Sequence, residues 1–214
     1  MSYLVNLSIQ GKRAVVVGAG AVALRKAQGL LEAGARVTVV APEACDGLLA
    51  LAAEGRLELR LKPYDAGELK GAALVLAATD NEAVNASVSA DCSRLGLLVN
   101  VSDRPALCTF TLPAVVRRGD LTLAVTTEGR CPAFARALRE ELEGRYGEAY
   151  GEALDLMGRL RDAMLSEGWE SARIQKALAG LYADGIVAVI RSRDTEALAA
   201  FLRHRLGPDF PLPS

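Results

Sequence analysis

The chain has one histidine, His204, and four cysteines, Cys45, Cys92, Cys108 and Cys131, none of them in a C-x-x-C pair. A zinc site needs clustered Cys or His, so the sequence offers no metal centre. The cysteines read as small apolar residues of a reduced compartment. Charge of one sign is also lacking. The formal net charge is -1, with no long run of either sign, which gives no basic footprint for nucleic acid. No stretch of about 18 uncharged apolar residues occurs, so no membrane span is expected. The N-terminus MSYLVNLSIQGKR has neither a cationic segment ahead of an apolar run nor a small-residue cleavage site, and a cytoplasmic location is expected. Internal repeats and low-complexity segments are absent too. What remains is a chain of 214 residues, 51% hydrophobic, with material for a sizeable core and length for two or three small domains.

Residues 14–17 read AVVV, the pattern of a strand buried on both faces. The turn Gly18-Ala19-Gly20 follows, and Ala23, Ala27, Leu30, Leu31 and Gly34 then recur at helical spacing. RVTVV at 36–40 completes a βαβ unit of about 30 residues. The alternation continues with a helix over 43–54, strands at 57–61 and 72–78, a helix over 80–95 ended by Gly96, and a strand at 97–101. This predicts an α/β fold, a Rossmann-type doubly wound parallel sheet. Near residue 109 the pattern changes. Two β-rich runs, 109–116 and 121–127, flank Arg117-Arg118-Gly119-Asp120 and read as a hairpin with a solvated turn. Pro132 suits the first turn of a helix carrying Phe134, Leu138 and Leu142 on one face. Helices follow over 148–166, 170–184 and 194–205, and the tail GPDFPLPS reads as irregular.

Gly18-x-Gly20-x-x-Ala23 matches the dinucleotide fingerprint. Gly18 allows the tight turn, Gly20 lets the backbone approach a pyrophosphate, and Ala23 lets helix pack closely on strand. The helix start at Ala21, Val22 and Ala23 offers free N–H groups and a positive dipole end. The fingerprint places an acid at the end of the second strand to hold the ribose. Here that point reads Val40-Ala41-Pro42-Glu43, so Pro42 and Glu43 are the candidates, with Glu43 a residue or two late and equally a helix start. No Arg awaits a 2′-phosphate, which favours NAD over NADP. Thr79 and Asp80, at the end of the 72–78 strand, read either as cofactor contacts or as a helix N-cap.

The segments GKRAVVVGAGAVALRKAQGLLEAGARVTVVAP, AATDNEAVN at 77–85, LLVNVSDRPALCTFTLPAVV at 97–116 and LAVTTEGRCPAFARALREELE at 123–143 together resemble the dehydrogenase part of the siroheme-synthase family. The likeness is close over about residues 1–145 and general beyond. It implies a precorrin-2 dehydrogenase that uses NAD to make sirohydrochlorin; some members also insert ferrous iron as a further substrate. It implies three parts, a Rossmann domain (1–112), a small α+β dimerisation domain (113–146) and a helical C-terminal domain (147–214), and a homodimer. Larger members carry a methyltransferase module, which this chain is expected to be too short to contain.

The resemblance also assigns roles. Asp103 stands where the family has its central catalytic carboxylate. It follows the 97–101 strand at a carboxyl end, where it can accept a proton while hydride leaves for the nicotinamide. Its bland reading is a turn Asp before Arg104-Pro105. The substrate is a macrocycle rich in carboxylates, for which Arg104, Thr127, Arg130 and the N–H groups after Cys131-Pro132 are the candidate partners. A different class of function, a non-catalytic NAD-sensing module, would need neither the N-V-x-D carboxylate nor the TTEGRCP loop.

Overall fold

A computed structural model of the protein describes residues 3–212. The chain divides into two compact units, residues 1–112 and 113–214.

The first unit is the expected parallel sheet. Strands β1 (Arg13–Val17), β2 (Arg36–Ala41), β3 (Glu58–Leu61), β4 (Leu74–Ala77) and β5 (Leu98–Val101) lie in the order β3-β2-β1-β4-β5, all pairs parallel. The reason β1, β2, β4 and β5 are largely apolar is visible in the packing. Val16, Val39, Leu74 and Leu76 face one layer, shared with Ala23, Ala27 and Leu30 of α1 (Ala21–Glu32) and Leu48 and Leu51 of α2 (Asp46–Ala53). Val15, Val17, Val75, Val99 and Val101 face the other, shared with Val88 and Cys92 of α3 (Glu82–Leu95). A strand clothed on both faces has no solvent side to make polar.

The chain leaves the sheet edge at β2 and β3 and restarts beside β1 with β4. Val17 is level with both Val40 and Ala77, so the carboxyl ends of β1, β2 and β4 open side by side. This is the switch point where ligands bind in open α/β sheets.

The second unit holds the hairpin β6 (Ala114–Arg118) and β7 (Leu121–Val125), then α4 (Pro132–Arg145), α5 (Glu148–Ser166), α6 (Ser171–Ala183), α7 (Ile186–Arg191) and α8 (Thr195–Leu206). Ala149, Ala153, Leu156, Leu160 and Met164 form the buried stripe of α5 and meet Ile174, Leu181, Ile186, Ile190 and Leu202. Among the described residues no helix is long and apolar enough to cross a membrane.

Several sequence expectations shift. The hairpin starts at Ala114, not at 109, because residues 109–110 close over β5 instead. Thr109 N–H donates to Val99 O (2.8 Å), Val99 N–H donates to Thr109 Oγ1 (2.8 Å), and Phe110 packs against the first core layer. Its turn is only Gly119-Asp120, with Arg118 paired to Leu121 and Gly119 at φ 56°, as a two-residue hairpin loop requires. Arg117 and Arg118 are therefore strand residues. The Arg118 side chain is 13% exposed; it pairs with Glu148 at 3.3 Å and donates to Glu143 O. Helix α7 was not anticipated, because its six residues are too few to show a period. The tail GPDFPLPS is irregular where described, yet Phe210 stacks edge-on against Trp169 at 5.6 Å. Cys131 is exposed and so is not a core residue.

Candidate functional site

The site begins where β1 ends. Gly18 has φ 103°, and a Cβ there would lie 2.4 Å from Ala78 O and 2.9 Å from Thr79 N. No L-residue side chain fits, so the glycine is fixed by the neighbouring β4 backbone. Its N–H donates to Val40 O at 2.9 Å, which ties the turn to β2. Gly20 differs in kind: a Cβ there would meet nothing within 4 Å. The protein does not need that glycine for its own packing, and the bare backbone faces open space at the head of α1. Gly20 is the N-cap of α1, with no side chain capping it and no acid in the first turn. The N–H groups that open the helix at Ala21, Val22 and Ala23 are thus available to an anion, with the positive dipole end behind them. Ala23 is fully buried beneath them. This cradle fits a dinucleotide's pyrophosphate.

Pro42 and Glu43 are exposed just past β2. Helix α2 starts only at Asp46, with Cys45 as its N-cap, so Glu43 is not a helix start. Cys45 N–H donates to Ala19 O at 3.0 Å, which holds this loop against the glycine turn. Past β4, Thr79 is half-buried and Asp80 exposed. Neither caps α3. That task falls to Asn81, whose side chain accepts from Val84 N–H at 3.1 Å. Thr79 Oγ1 instead accepts from Asn81 N–H at 3.1 Å.

Asp103 is exposed two residues beyond β5, at φ 57°. Asp tolerates this left-handed conformation better than most residues. The turn geometry therefore holds as a fact, and it also sets the carboxylate at the carboxyl edge of the sheet. Arg104 pairs with Glu82 at the head of α3. Cys108 Sγ lies 3.1 Å from Val101 N and 3.2 Å from Val101 O, inside the same loop.

Lys26, on the second turn of α1, escaped the sequence reading. Its Nζ donates to Asn100 Oδ1 at 2.6 Å, and the Asn100 amide donates to Phe110 O at 3.1 Å. Burial lowers the Lys26 pKa below its ordinary 10.5, against the opposing pull of Cys108 and Asp103. A lone lysine on a helix gives no sequence signal for such a contact, which depends on the fold bringing α1 within side-chain reach of β5. Asn85 was missed likewise. It is 5% exposed, and its Nδ2 donates to Thr79 O at 2.8 Å.

In the second unit, Thr127 closes the loop ahead of α4. Its Oγ1 donates to Cys131 O (3.2 Å) and accepts from Cys131 N–H (3.3 Å). Glu128 and Gly129 both have positive φ there, and Arg130 is exposed. Cys131 is the N-cap of α4 and provides no side-chain cap, with Pro132 in the first turn. Among the described residues no group of three or more His, Cys, Asp or Glu is placed to hold a metal ion.

The first unit coincides with a known family model: residues 5–114 match "Putative NAD(P)-binding". Residues 118–145 match "Sirohaem biosynthesis protein central". The siroheme synthase of Pseudomonas entomophila (strain L48) is 49% identical over 154 residues, covering 72% of this chain and 33% of the relative. That of Pseudomonas putida (strain W619) is 48% identical over 158 residues, covering 74% and 34%. The chain thus spans about a third of the length of these curated relatives. Among solved structures it is similar to SirC, precorrin-2 dehydrogenase, with a TM-score of 0.78 and 25% identity over 96% of this chain and 99% of that one.

Proposed function

The chain belongs to the putative NAD(P)-binding family, and from that premise we propose that it is an NAD-dependent dehydrogenase that oxidises precorrin-2 to sirohydrochlorin. The observation that carries the reading is the similarity to a precorrin-2 dehydrogenase along the whole of both chains, together with a dinucleotide cradle at the sheet's switch point.

When bound, the nicotinamide dinucleotide supplies a hydride acceptor. The backbone at Gly18, Gly20, Ala21, Val22 and Ala23 holds its pyrophosphate. Pro42 and Glu43 border the adenosine ribose, and Thr79 and Asp80 border the other half. Oxidation removes a hydride and a proton from the macrocycle, and Asp103 takes the proton as general base. Arg104, Thr127 and Arg130 bind the substrate's carboxylates or polar edge. The stretch Val40–Glu43, where β2 ends, holds no Arg to meet a 2′-phosphate, which favours NAD over NADP. Insertion of ferrous iron into sirohydrochlorin, with iron as a substrate, is the finer extension of this proposal. Its test is metallation of sirohydrochlorin, without NAD, above the spontaneous rate.

The proposal includes a homodimer in the cytoplasm. Supporting the dimer, Phe134 of α4 is 56% exposed and Leu138 and Leu142 on the same stripe are only half-buried. A two-stranded hairpin is also marginal without a further layer.

The decisive test is incubation of the purified chain with precorrin-2 and NAD. The proposal expects one NADH per sirohydrochlorin formed. NAD binding without turnover would instead identify a sensing module.

A further inference from the structure

Beside Asp103 lies a cavity of about 440 Å³, walled by the apolar Ala86, Pro105 and Leu107 and edged by Glu82, Asn85, Asp103 and Arg104, the last paired with Glu82. Asn85 is the unusual member. Its Nδ2 donates to Thr79 O at 2.8 Å, which fixes the amide's orientation, since the flipped form would set two oxygens against each other. Its Oδ1 is then the free end, and this buried atom has no hydrogen-bond partner among the described residues. Buried polar atoms are rarely left so. A neutral acceptor calls for an N–H or O–H donor, and it does not suit phosphate or an ionised carboxylate.

The place of the cavity indicates which donor. The pyrophosphate cradle stands at the end of β1, and the two halves of a dinucleotide diverge from the switch point. One half runs over β2 towards Pro42 and Glu43, the other over β4 and β5, where Thr79 and Asn85 sit. The end group of that second half is a flat ring carrying a primary carboxamide, whose N–H is the missing donor. In its oxidised form the ring is cationic, which suits the Asp103 carboxylate at the rim, the charges of Glu82 and Arg104 being paired with each other.

We propose that this cavity receives the nicotinamide ring and that Asn85 Oδ1 accepts a hydrogen bond from its carboxamide, making Asn85 a specificity-determining residue for the cofactor. The inference rests on the dinucleotide reading above. A pyrrole N–H of the macrocycle has the same donor chemistry, and a measurement without macrocycle separates the two.

The test is calorimetry of the full chain with NAD, with its 3-acetylpyridine analogue, in which a methyl ketone replaces the carboxamide, and with ADP-ribose, which lacks the ring. The wild type is expected to bind the analogue about tenfold more weakly than NAD. Asn85→Leu is expected to bind NAD and the analogue alike, with ADP-ribose affinity unchanged. Equal affinities for NAD and the analogue in the wild type would overturn the inference while leaving the dinucleotide reading in place, and this arm needs no variant to fold. A preference for NAD that survives in Asn85→Leu would overturn it as well. A wild type that binds neither NAD nor ADP-ribose would remove the dinucleotide reading itself.

Discussion

Two glycines two residues apart illustrate how one motif holds two different constraints. Gly18 is required by the protein, since its absent Cβ would overlap the Ala78 carbonyl and its φ is 103°. Gly20 is required only by what approaches from outside. The outcomes of mutation therefore separate. Gly18→Ala should lower the melting temperature markedly, by at least about 2 kcal/mol of stability, from left-handed strain plus a clash with backbone that cannot turn aside. Gly20→Val should melt close to the wild type yet lose NAD affinity. Thermal melts with calorimetry on both variants check the pair, and a Gly20→Val protein with undiminished affinity would displace the cofactor from this turn. The motif itself was legible in the sequence because its spacing is local. Lys26 on Asn100 and Asn85 on Thr79 were not legible. Each is a polar residue on a helix whose partner, in the case of Lys26, is 74 positions away, or whose meaning, for Asn85, lies in an atom left unpaired by the fold.

Among the elements, β3 is tied down by charge where its neighbours are tied by apolar packing. Glu68, in the short 3-10 turn at Ala66–Leu69, is 3% exposed and meets both Lys62 and Arg60. Lys62, then Arg60, hold its carboxyl below the ordinary 4.5. The folded chain therefore binds fewer protons at this site than the unfolded chain as pH falls through 4.5, and the stability it contributes at neutral pH is lost on acidification. Glu68→Gln should melt below the wild type at about pH 7, and the gap should close towards about pH 3. A gap independent of pH in thermal melts would mean that Glu68 acts through packing alone. The strands and long helices were legible because continuous apolar runs and 3.6-residue stripes are written in the chain. The displaced hairpin start was not, because Thr109 and Phe110 have strand-forming character and are diverted only by the edge of β5, which they cover. Helix α7 follows Gly185 at φ 94° and is placed by the packing of Ile186, Val187 and Ile190 rather than by a period of its own.

At the scale of the whole molecule, the candidate residues are divided between the units: the cofactor cradle and Asp103 belong to the first, Thr127 and Arg130 to the second. A homodimer should appear in light scattering at micromolar concentration as twice the chain mass. Phe134→Glu, on the exposed stripe of α4, should shift it to the monomer, and a wild type of single-chain mass would end the dimer proposal. The proposed reaction requires a dinucleotide and a carboxylate to act together at the carboxyl edge of the sheet. Asp103→Asn tests it most directly, because Asn also accepts a positive φ and so retains the turn while losing the base. The measurement is NADH formation from precorrin-2 at saturating NAD, read beside NAD affinity on the same preparation. The expected result is a rate lower by about 10²–10⁴ with affinity unchanged. Normal turnover in Asp103→Asn would contradict it.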